Sequence, residues 1–452
     1  LAIVVLGGMG SQLGVILVDI IKLVSGRHPI APAPHEALAK KRSSPWIKQS
    51  RPNRTIIGFV PHYLMPHYFS SGETSDEISE ELRAWLRLSL EPELAPAQAR
   101  QLLAACGLPP QIYQSSVQTL ARHIPTELAV QLSQEPLDEL QAQIEQAEEW
   151  LKQPNHHVVT LADPTYPASL LDLHDAPLLL YANGDLGVLQ RKGLAIVGAR
   201  NATQSGQETA TDFAATLASR GWCIISGLAS GIDQAAHKGA LKAGPPSAGT
   251  IAVMGTGLDL VYPAAHRDLA HQISAHGLLL SEFPLGTRAM PHHFPRRNRI
   301  VAALAKGVLV VEAAKQSGSL ITARLAGELG REVFAIPGSI HSPLARGCHA
   351  LIRQGAKLVE SAQDILDELG NVQGDFNLDA APQSGPKPNP YEALPEELRP
   401  ILERIDFAPL SPEQLMRRTG LLATELPAVL AELELAGCIE PLADGRFQRI
   451  KP

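Results

Sequence analysis

Six short apolar runs recur between residues 190 and 370, and amphipathic stretches at helical spacing separate them. The runs are residues 193–200, 222–227, 249–255, 277–283, 307–313 and 332–338. Nearly continuous apolar runs of this length are typical of parallel strands that are buried on both faces of a sheet. The pattern therefore predicts a Rossmann-like, doubly wound α/β domain over residues 156–370. Its sheet should be mainly parallel, with a ligand site at the carboxyl ends of the strands.

The hydrophobic pattern changes on both sides of this domain. Residues 79–150 carry apolar side chains at helical spacing, which predicts a small helical domain. A linker rich in Pro, Gly, Asn and Asp follows at residues 371–394. Residues 395–452 have the pattern of three helices and a hairpin with Asp444 and Gly445 at its turn, and Ser411 is an expected N-cap. This arrangement is typical of a winged helix.

The third helix of this winged helix is acidic and contains neither Lys nor Arg. A helix that enters a DNA groove must approach phosphates, which repel carboxylates. We therefore expect this module to pack against the core or a protein partner, although a weak DNA contact stays open.

The first 24 residues are strongly apolar, but glycines, Asp19 and Lys22 interrupt them, and they lack the basic segment of a secretory signal. The stretch up to residue 78 is rich in Pro, His, Lys, Arg and Ser and has no clear period. Three interpretations of residues 1–78 stay open. We prefer an extension that is not part of the folded protein, and the others are a membrane anchor and a flexible arm.

The overall charge limits the function classes. A net charge of −7 over 452 residues argues against nucleic-acid binding through the whole surface, so any such site must be a local basic patch. The four cysteines are far apart and show no CxxC or zinc spacing, which fits the reducing cytoplasm. We expect no metal, no cofactor and no membrane partner.

A glycine-rich turn, SGLASGIDQAAH at residues 226–237, runs directly into a helix. Besides Ser226, its small residues are Gly227, Ala229, Ser230 and Gly231. They allow a backbone to approach an anion closely, and the helix adds free N–H groups and the positive end of its dipole. Asp233 and His237 share one face of that helix. The pattern predicts a phosphate-binding loop, and the alternative is a purely structural turn.

A basic segment at residues 288–307 precedes the fifth apolar run. Its charged residues are Arg288, Arg296, Arg297, Arg299 and Lys306. The guanidinium group of arginine can donate two hydrogen bonds to one phosphate, and the neighbouring Phe294 could stack on an unpaired base. We expect this segment to bind nucleic acid, with some arginines paired inside the fold and Asn298 ordering adjacent loops.

The other strand-to-helix loops carry further polar residues. These are Arg200 after the first run, Asp259 after the third, Glu312, Lys315, Ser317 and Gly318 after the fifth, and the IPGSI segment after the sixth. We expect these loops to meet at one edge of the sheet. Asp233, His237 and Glu312 could form an acid–base set, but the absence of a nucleophile elbow favours loop bracing by hydrogen bonds. The sequence therefore predicts an anion-binding pocket without catalytic residues.

Six motifs occur in this order along the chain: VGAR, SGLASGIDQAAH, GTGLDLVYP, SEFPLGTRAMPHHFPRRNRIVA, VVEAAKQSGSLITARLAGELGREVFAIPG and GCHALIRQGA. Together they resemble the DNA processing protein A family (DprA/Smf), closely over about residues 160–360 and loosely over 80–150. The helical domain is similar to that family's SAM-like or helix-hairpin-helix unit, and residues 395–452 are similar to its winged helix.

The resemblance implies a homodimeric protein that binds single-stranded DNA and loads the RecA recombinase during natural transformation (competence) and DNA recombination. It implies phosphate binding by residues 226–231 and Arg200, and a dimer contact near Leu351 and Ile352. The DNA contacts that it implies are Phe294, Arg296, Arg297 and Arg299. Two alternatives are a nucleoside-monophosphate phosphoribohydrolase, whose PGGxGTxxE loop is missing here, and a transcription regulator that acts through the winged helix.

Overall fold

The computed structural model describes residues 79–244, 247–370, 394–405, 407–442 and 445–450. The apolar segment at residues 1–24, the rest of the predicted extension to residue 78, and most of the predicted linker lie outside the described residues. None of the described helices is long and apolar enough to cross a membrane.

Six helices precede the sheet, as the apolar spacing predicts. They are α1 (Glu80–Leu90), α2 (Pro96–Cys106), α3 (Pro109–Gln114), α4 (Val117–Leu120), α5 (Thr126–Leu132) and α6 (Asp138–Leu151). The Ser79 hydroxyl caps α1 by accepting the N–H of Leu82 at 3.2 Å. Ile144 and Trp150 of α6 pack in one apolar cluster with Tyr181 of the sheet, so these helices share a core with the α/β domain.

The sheet has nine strands. They are β1 (His156–Thr160), β2 (Leu179–Gly184), β3 (Gly193–Val197), β4 (Cys223–Ser226), β5 (Thr250–Val253), β6 (Leu278–Ser281), β7 (Ala305–Val310), β8 (Glu332–Ala335) and β9 (Lys357–Leu358). Their order in the sheet is β1-β2-β6-β5-β4-β3-β7-β8-β9. The pairs β1–β2 and β2–β6 are antiparallel, and all the other neighbouring pairs are parallel. The six apolar runs are strands β3 to β8, which confirms the predicted mainly parallel sheet.

Helices cover both faces of the sheet. They are α7 (Gln204–Ser219), α8 (Ile232–Lys242), α9 (Arg267–His276), α10 (His293–Leu304), α11 (Ser319–Glu328), α12 (Arg346–Arg353) and α13 (Ala362–Leu369). Along β3, Leu194 and Ile196 belong to one buried cluster, while Ala195 and Val197 belong to another. Burial on both faces explains why the sequence of this strand is continuously apolar.

The side on which the chain adds new strands to the sheet changes between β3 and β7. Strands β4, β5 and β6 extend the sheet to one side of β3, and α10 then leads back to β7 on the other side. The register pairs Ile196 with Leu309 and Val197 with Val310. In an open α/β sheet the chains leaving two such strands diverge and leave a crevice at their carboxyl ends. The fold therefore places the expected ligand site between β3 and β7.

The C-terminal module has the predicted winged-helix elements. They are α14 (Arg399–Glu403), α15 (Pro412–Thr419), α16 (Leu426–Leu435) and the antiparallel strands β10 (Ile439–Pro441) and β11 (Phe447–Arg449). Ser411 caps α15, and Gly420 ends it in the left-handed region at φ +80°, as the sequence predicts. Asp444 of the predicted turn lies outside the described residues. Glu440 accepts the N–H of Gln204, the first residue of α7, at 2.8 Å.

Candidate nucleic-acid interface

A cavity of about 430 Å³ lies at the crevice between β3 and β7. Its lining includes Gly198, Arg200, Ala229, Asp233, Phe294, Arg297, Asn298, Ser317, Gly318 and Ser319. The loops after β3, β4 and β7 therefore meet here, together with the first half of α10. A larger cavity, of about 970 Å³, lies among the N-terminal helices, and its lining has five glutamates against three basic residues, which disfavours an anion.

Two of the expected loops do not line this cavity. The loop after β5, which contains Asp259, contributes no lining residue. Residues 336–340 follow β8 at the expected edge of the sheet, but they line a neighbouring cavity with Thr203, Glu312 and Phe407. The reason is the strand order, because β8 lies beyond β7 and its carboxyl end is one strand further from β3.

Arg297 is only 4% exposed, and its guanidinium connects the cavity wall to two strands. It donates to the carbonyl oxygens of Gly227 and Val253, where the chain leaves β4 and β5, and its Nε donates to Asn298 Oδ1 at 3.1 Å. A Cβ on Gly227 would overlap the guanidinium, so this glycine serves a contact within the protein. Burial lowers the pKa of Arg297 to about 10, so the side chain is cationic at neutral pH.

Asp233 holds the glycine-rich loop from the first turn of α8. Its Oδ2 accepts the N–H of Gly227 at 3.1 Å and that of Ala229 at 3.4 Å. Burial raises the pKa of Asp233, and the Arg297 charge opposes that rise. The carboxylate thus uses two donors that a phosphate would need. The N–H groups of Ser230 and Gly231 make no hydrogen bond within the described part of the chain, so no carboxylate competes with a phosphate for them.

The remaining small residues of this loop support packing. The Ser226 hydroxyl is buried and donates to the Ile196 carbonyl at 2.6 Å. Gly231 adopts φ +77°, and a Cβ there would overlap the Ala199 carbonyl. The structural interpretation of the loop therefore accounts for Ser226, Gly227 and Gly231. Of the loop residues, Ala229 lines the cavity and Ser230 is exposed.

Glu312 joins the loops after β3 and β7. Its carboxylate accepts the Thr203 N–H at 3.0 Å and the Thr203 hydroxyl at 2.7 Å, and burial raises the pKa of this carboxyl group. Asn298 donates to the Gly318 carbonyl at 3.5 Å, a long contact that links α10 to the loop after β7. Both residues brace loops at the edge of the crevice.

His237 is fully buried and lies outside the cavity lining. Its Nδ1 lies 2.8 Å from the Thr250 hydroxyl, which itself donates to the Ile224 carbonyl at 2.6 Å. Nδ1 must therefore be the donor, and Nε2 has no partner within the described residues. Burial lowers the pKa of His237 to about 3. The structure does not bring His237 and Glu312 together, which is evidence against an acid–base set.

The accessible groups at the site are an aromatic ring and two cations. Phe294 is half-buried, and the guanidinium carbon of Arg200 lies 5.2 Å from its ring centroid. Arg200 and Lys315 are exposed, and neither pairs with a carboxylate in the described chain. Lys315 precedes Ser317 and Gly318, which line the cavity. This combination suits a phosphate chain that carries unpaired bases.

Two other arginines of the basic segment, Arg296 and Arg299, form ion pairs with acids. Arg299 is buried and pairs with Glu282 and, at 3.0 Å, with Asp175. Arg296 is half-exposed and pairs with Glu282 at 3.2 Å. Neither lines the cavity. Their contact with DNA stays a prediction, and these ion pairs count against it most strongly for Arg299.

Only one of the two residues predicted for the dimer contact has accessible surface. Leu351 lies on α12 with its side chain buried in the cluster beneath the sheet, while Ile352 packs against that cluster and keeps some exposed surface. A dimer surface here would have to use Ile352, since the side chain of Leu351 has almost no free area.

Three functional or supporting residues were not identified as such from the sequence. Glu282, the acid that pairs with two arginines, follows β6 without any special spacing. Asp259 accepts the Gly286 N–H with both carboxylate oxygens at 2.9 Å and so fixes the chain that leads to α10. Tyr262 contacts Phe294, with the ring centroids 5.6 Å apart. The Gly-x-Asp pattern at residues 257–259, directly after a strand, could have suggested the role of Asp259.

Comparison with known proteins gives consistent matches. The family model for DNA recombination-mediator protein A matches residues 157–370, and the DprA winged helix domain matches residues 385–445. Protein Smf of Escherichia coli is 43% identical over 302 residues, which are 66% of this chain and 78% of that protein. DNA processing protein DprA of Streptococcus pneumoniae is 47% identical over 210 residues, 46% of this chain and 73% of that protein.

A solved structure agrees with these matches. The X-ray structure of DNA processing protein A from Streptococcus pneumoniae has a TM-score of 0.55 and 37% sequence identity with this chain. The match covers 65% of this chain and 98% of the Streptococcus chain.

The buried His237 predicts a pH-dependent stability. Its pKa is about 3 in the folded state, and an unfolded histidine titrates near about 6.5. Between pH 3 and about 6.5 the unfolded state therefore binds a proton on His237 that the folded state does not bind. The free energy of unfolding falls as the pH falls through this range. One such proton contributes about 1.4 kcal/mol per pH unit to the free energy of unfolding.

We expect His237→Gln to remove most of that slope in urea unfolding followed by intrinsic tryptophan fluorescence between pH 6.5 and 4. The matched control is His271→Gln on the exposed surface of α9, which should keep the wild-type slope. An unchanged slope in His237→Gln would mean that this histidine is not held neutral by the fold.

Proposed function

The chain belongs to the DNA processing protein A (DprA/Smf) family, and from this premise we propose that it binds single-stranded DNA at the cavity between β3 and β7. The observation that supports the proposal is the contact between Arg200 and Phe294 in the cavity lining, with Lys315 two residues before the lining residue Ser317. The ring is half-buried, and neither exposed cation forms an ion pair with an acid in the described chain. The cations suit the phosphate chain, and the ring suits the face of a base.

The same groups favour a single strand over a duplex. A base can stack on Phe294 only when its face is free, whereas the faces of duplex bases are covered by their neighbours. Neither a cation nor an aromatic face reads the hydrogen-bonding pattern of base edges. The binding should therefore be largely independent of sequence.

The proposal includes delivery of the bound strand to the RecA recombinase in DNA uptake and recombination. The name of the matching family model, a recombination mediator, supports this role, as does the order of motifs along the chain. A homodimer belongs to the same proposal. We infer that the site acts by binding, because the carboxylates of Asp233 and Glu312 accept hydrogen bonds from backbone N–H and hydroxyl groups and so order the loops.

Arg200→Ala should weaken binding to all single-stranded sequences alike. The slope of log affinity against log salt should become shallower by about 0.7 for each phosphate that the variant fails to neutralise. The measurement is a fluorescence-anisotropy titration of labelled oligonucleotides of two unrelated sequences at several salt concentrations. The matched control is Arg220→Ala, because Arg220 is exposed at the end of α7, where the chain enters the opposite edge of the sheet at β4.

If Arg200→Ala leaves both the affinity and the slope unchanged while the oligonucleotide still binds, the phosphate contact assigned to Arg200 is wrong. If Arg220→Ala weakens binding as much as Arg200→Ala does, the effect is one of overall charge and the proposed site is not supported.

Removal of residues 385–452 should leave single-strand binding largely intact. Helix α16 carries Glu432 and Glu434 without a basic residue, so it should be repelled by phosphates. A modest loss is allowed, because Arg417 and Arg418 lie in the last turn of α15. The truncated and full-length chains are titrated with the same oligonucleotide. A loss of more than about tenfold, roughly 1.4 kcal/mol, in a truncated protein that is still folded would make the winged helix a principal DNA site.

A further inference from the structure

We propose that Tyr262 is a second base-stacking residue, so that the site holds two successive bases of the strand on Tyr262 and Phe294. This inference rests on the proposed function and assigns a role to a residue of the loop after β5. That loop does not line the cavity itself but borders it through Phe294.

The two rings form one continuous aromatic surface. Their centroids lie 5.6 Å apart with an interplanar angle of 40°. Rings in such contact leave no room for a base between them, so they cannot sandwich one base. Each ring instead offers its remaining surface, and the tilt gives the two surfaces different directions. This geometry suits two neighbouring bases that are no longer stacked on each other.

Tyr262 is exposed, although its loop is well anchored. Its side chain is 50% exposed. Nearby, Leu258 is buried, the Thr256 hydroxyl donates to the Leu260 carbonyl at 2.7 Å, and Asp259 is bonded to Gly286. A ring presented by an ordered loop loses little conformational freedom when a ligand binds.

The ring does little for the fold itself. The Tyr262 hydroxyl makes no hydrogen bond within the described part of the chain, and half of the side chain is open to solvent. Single exposed aromatic residues are common on protein surfaces. What distinguishes Tyr262 is that Phe294 contacts both this ring and the guanidinium of Arg200, so the three side chains form a row. The row continues from a phosphate-binding cation to two base-binding rings.

The test separates base contacts from phosphate contacts. The probes are a fluorescent oligothymidylate and an oligomer of equal length made of abasic deoxyribose phosphates, which has the same charge and no bases. Tyr262→Ala should weaken binding of the oligothymidylate by about tenfold and leave that of the abasic oligomer unchanged. Tyr262→Phe, which keeps the ring, should bind both probes within about twofold of the wild type. The salt slope should not change in either variant.

A second variant gives a direct signal of stacking. Tyr262→Trp places an indole in the same position, and its fluorescence should be quenched when oligothymidylate binds but not when the abasic oligomer binds. The wild-type protein is the baseline, because its described tryptophans Trp85, Trp150 and Trp222 are buried.

Several results would overturn the inference. One is an equal loss for both probes in Tyr262→Ala, which would indicate a structural role, and another is no loss for either probe. A third is the absence of quenching in a Tyr262→Trp variant that binds. Phe294→Ala is the reference for the proposed function. If it discriminates between the probes and Tyr262→Ala does not, the second stacking position is wrong while the proposed function stands. If the wild-type protein binds neither probe, both are wrong.

Discussion

The buried guanidinium of Arg297 is the contact on which the arrangement of the site depends. It reaches from α10 to the carbonyl oxygens of Gly227 and Val253, and through Asn298 it is linked to the loop after β7. Removing a cation from water is costly, and the cost is tolerated only when hydrogen bonds and an opposite charge replace its hydration shell. The carbonyl groups and the nearby Asp233 carboxylate provide both. Because Phe294 lies one helical turn before Arg297, the same contact sets the position of the stacking ring.

Acidic residues then decide which cations remain available for a ligand. Glu282 and Asp175 pair with arginines of α10, and Asp233 accepts two N–H groups of the glycine-rich loop. The exposed Arg200 and Lys315 have no such partner in the described chain. A protein with a net charge of −7 can in this way present a local positive surface at one edge of its sheet. The separation between paired and unpaired cations is a property of the fold.

The sequence predicts most of the fold because burial on both faces of a sheet leaves an uninterrupted apolar run. Strands β3 to β8 and the winged-helix elements follow from such patterns and from caps such as Ser411. The short strand β9 does not, because it consists of two exposed residues at the edge of the sheet and has no apolar run.

The candidate site was predictable in its location but not in the role of each arginine. A run of basic residues contains no information on which of them faces an acid, because Glu282 and Asp175 come from other parts of the chain. The burial of Leu351 and the separate position of residues 336–340 depend on packing and strand order. The contact between Tyr262 and Phe294 joins the loop after β5 to helix α10 and has no sequence signal.

If this edge of the sheet binds unpaired DNA, the full chain should distinguish a single-stranded oligonucleotide from its duplex. The most direct measurement compares its affinity for the two forms, each at two salt concentrations. We expect tighter binding of the single strand at both salt concentrations, with an affinity that falls as salt rises and varies little with sequence. Equal affinity for the two forms, or strong selectivity for one sequence, would contradict it.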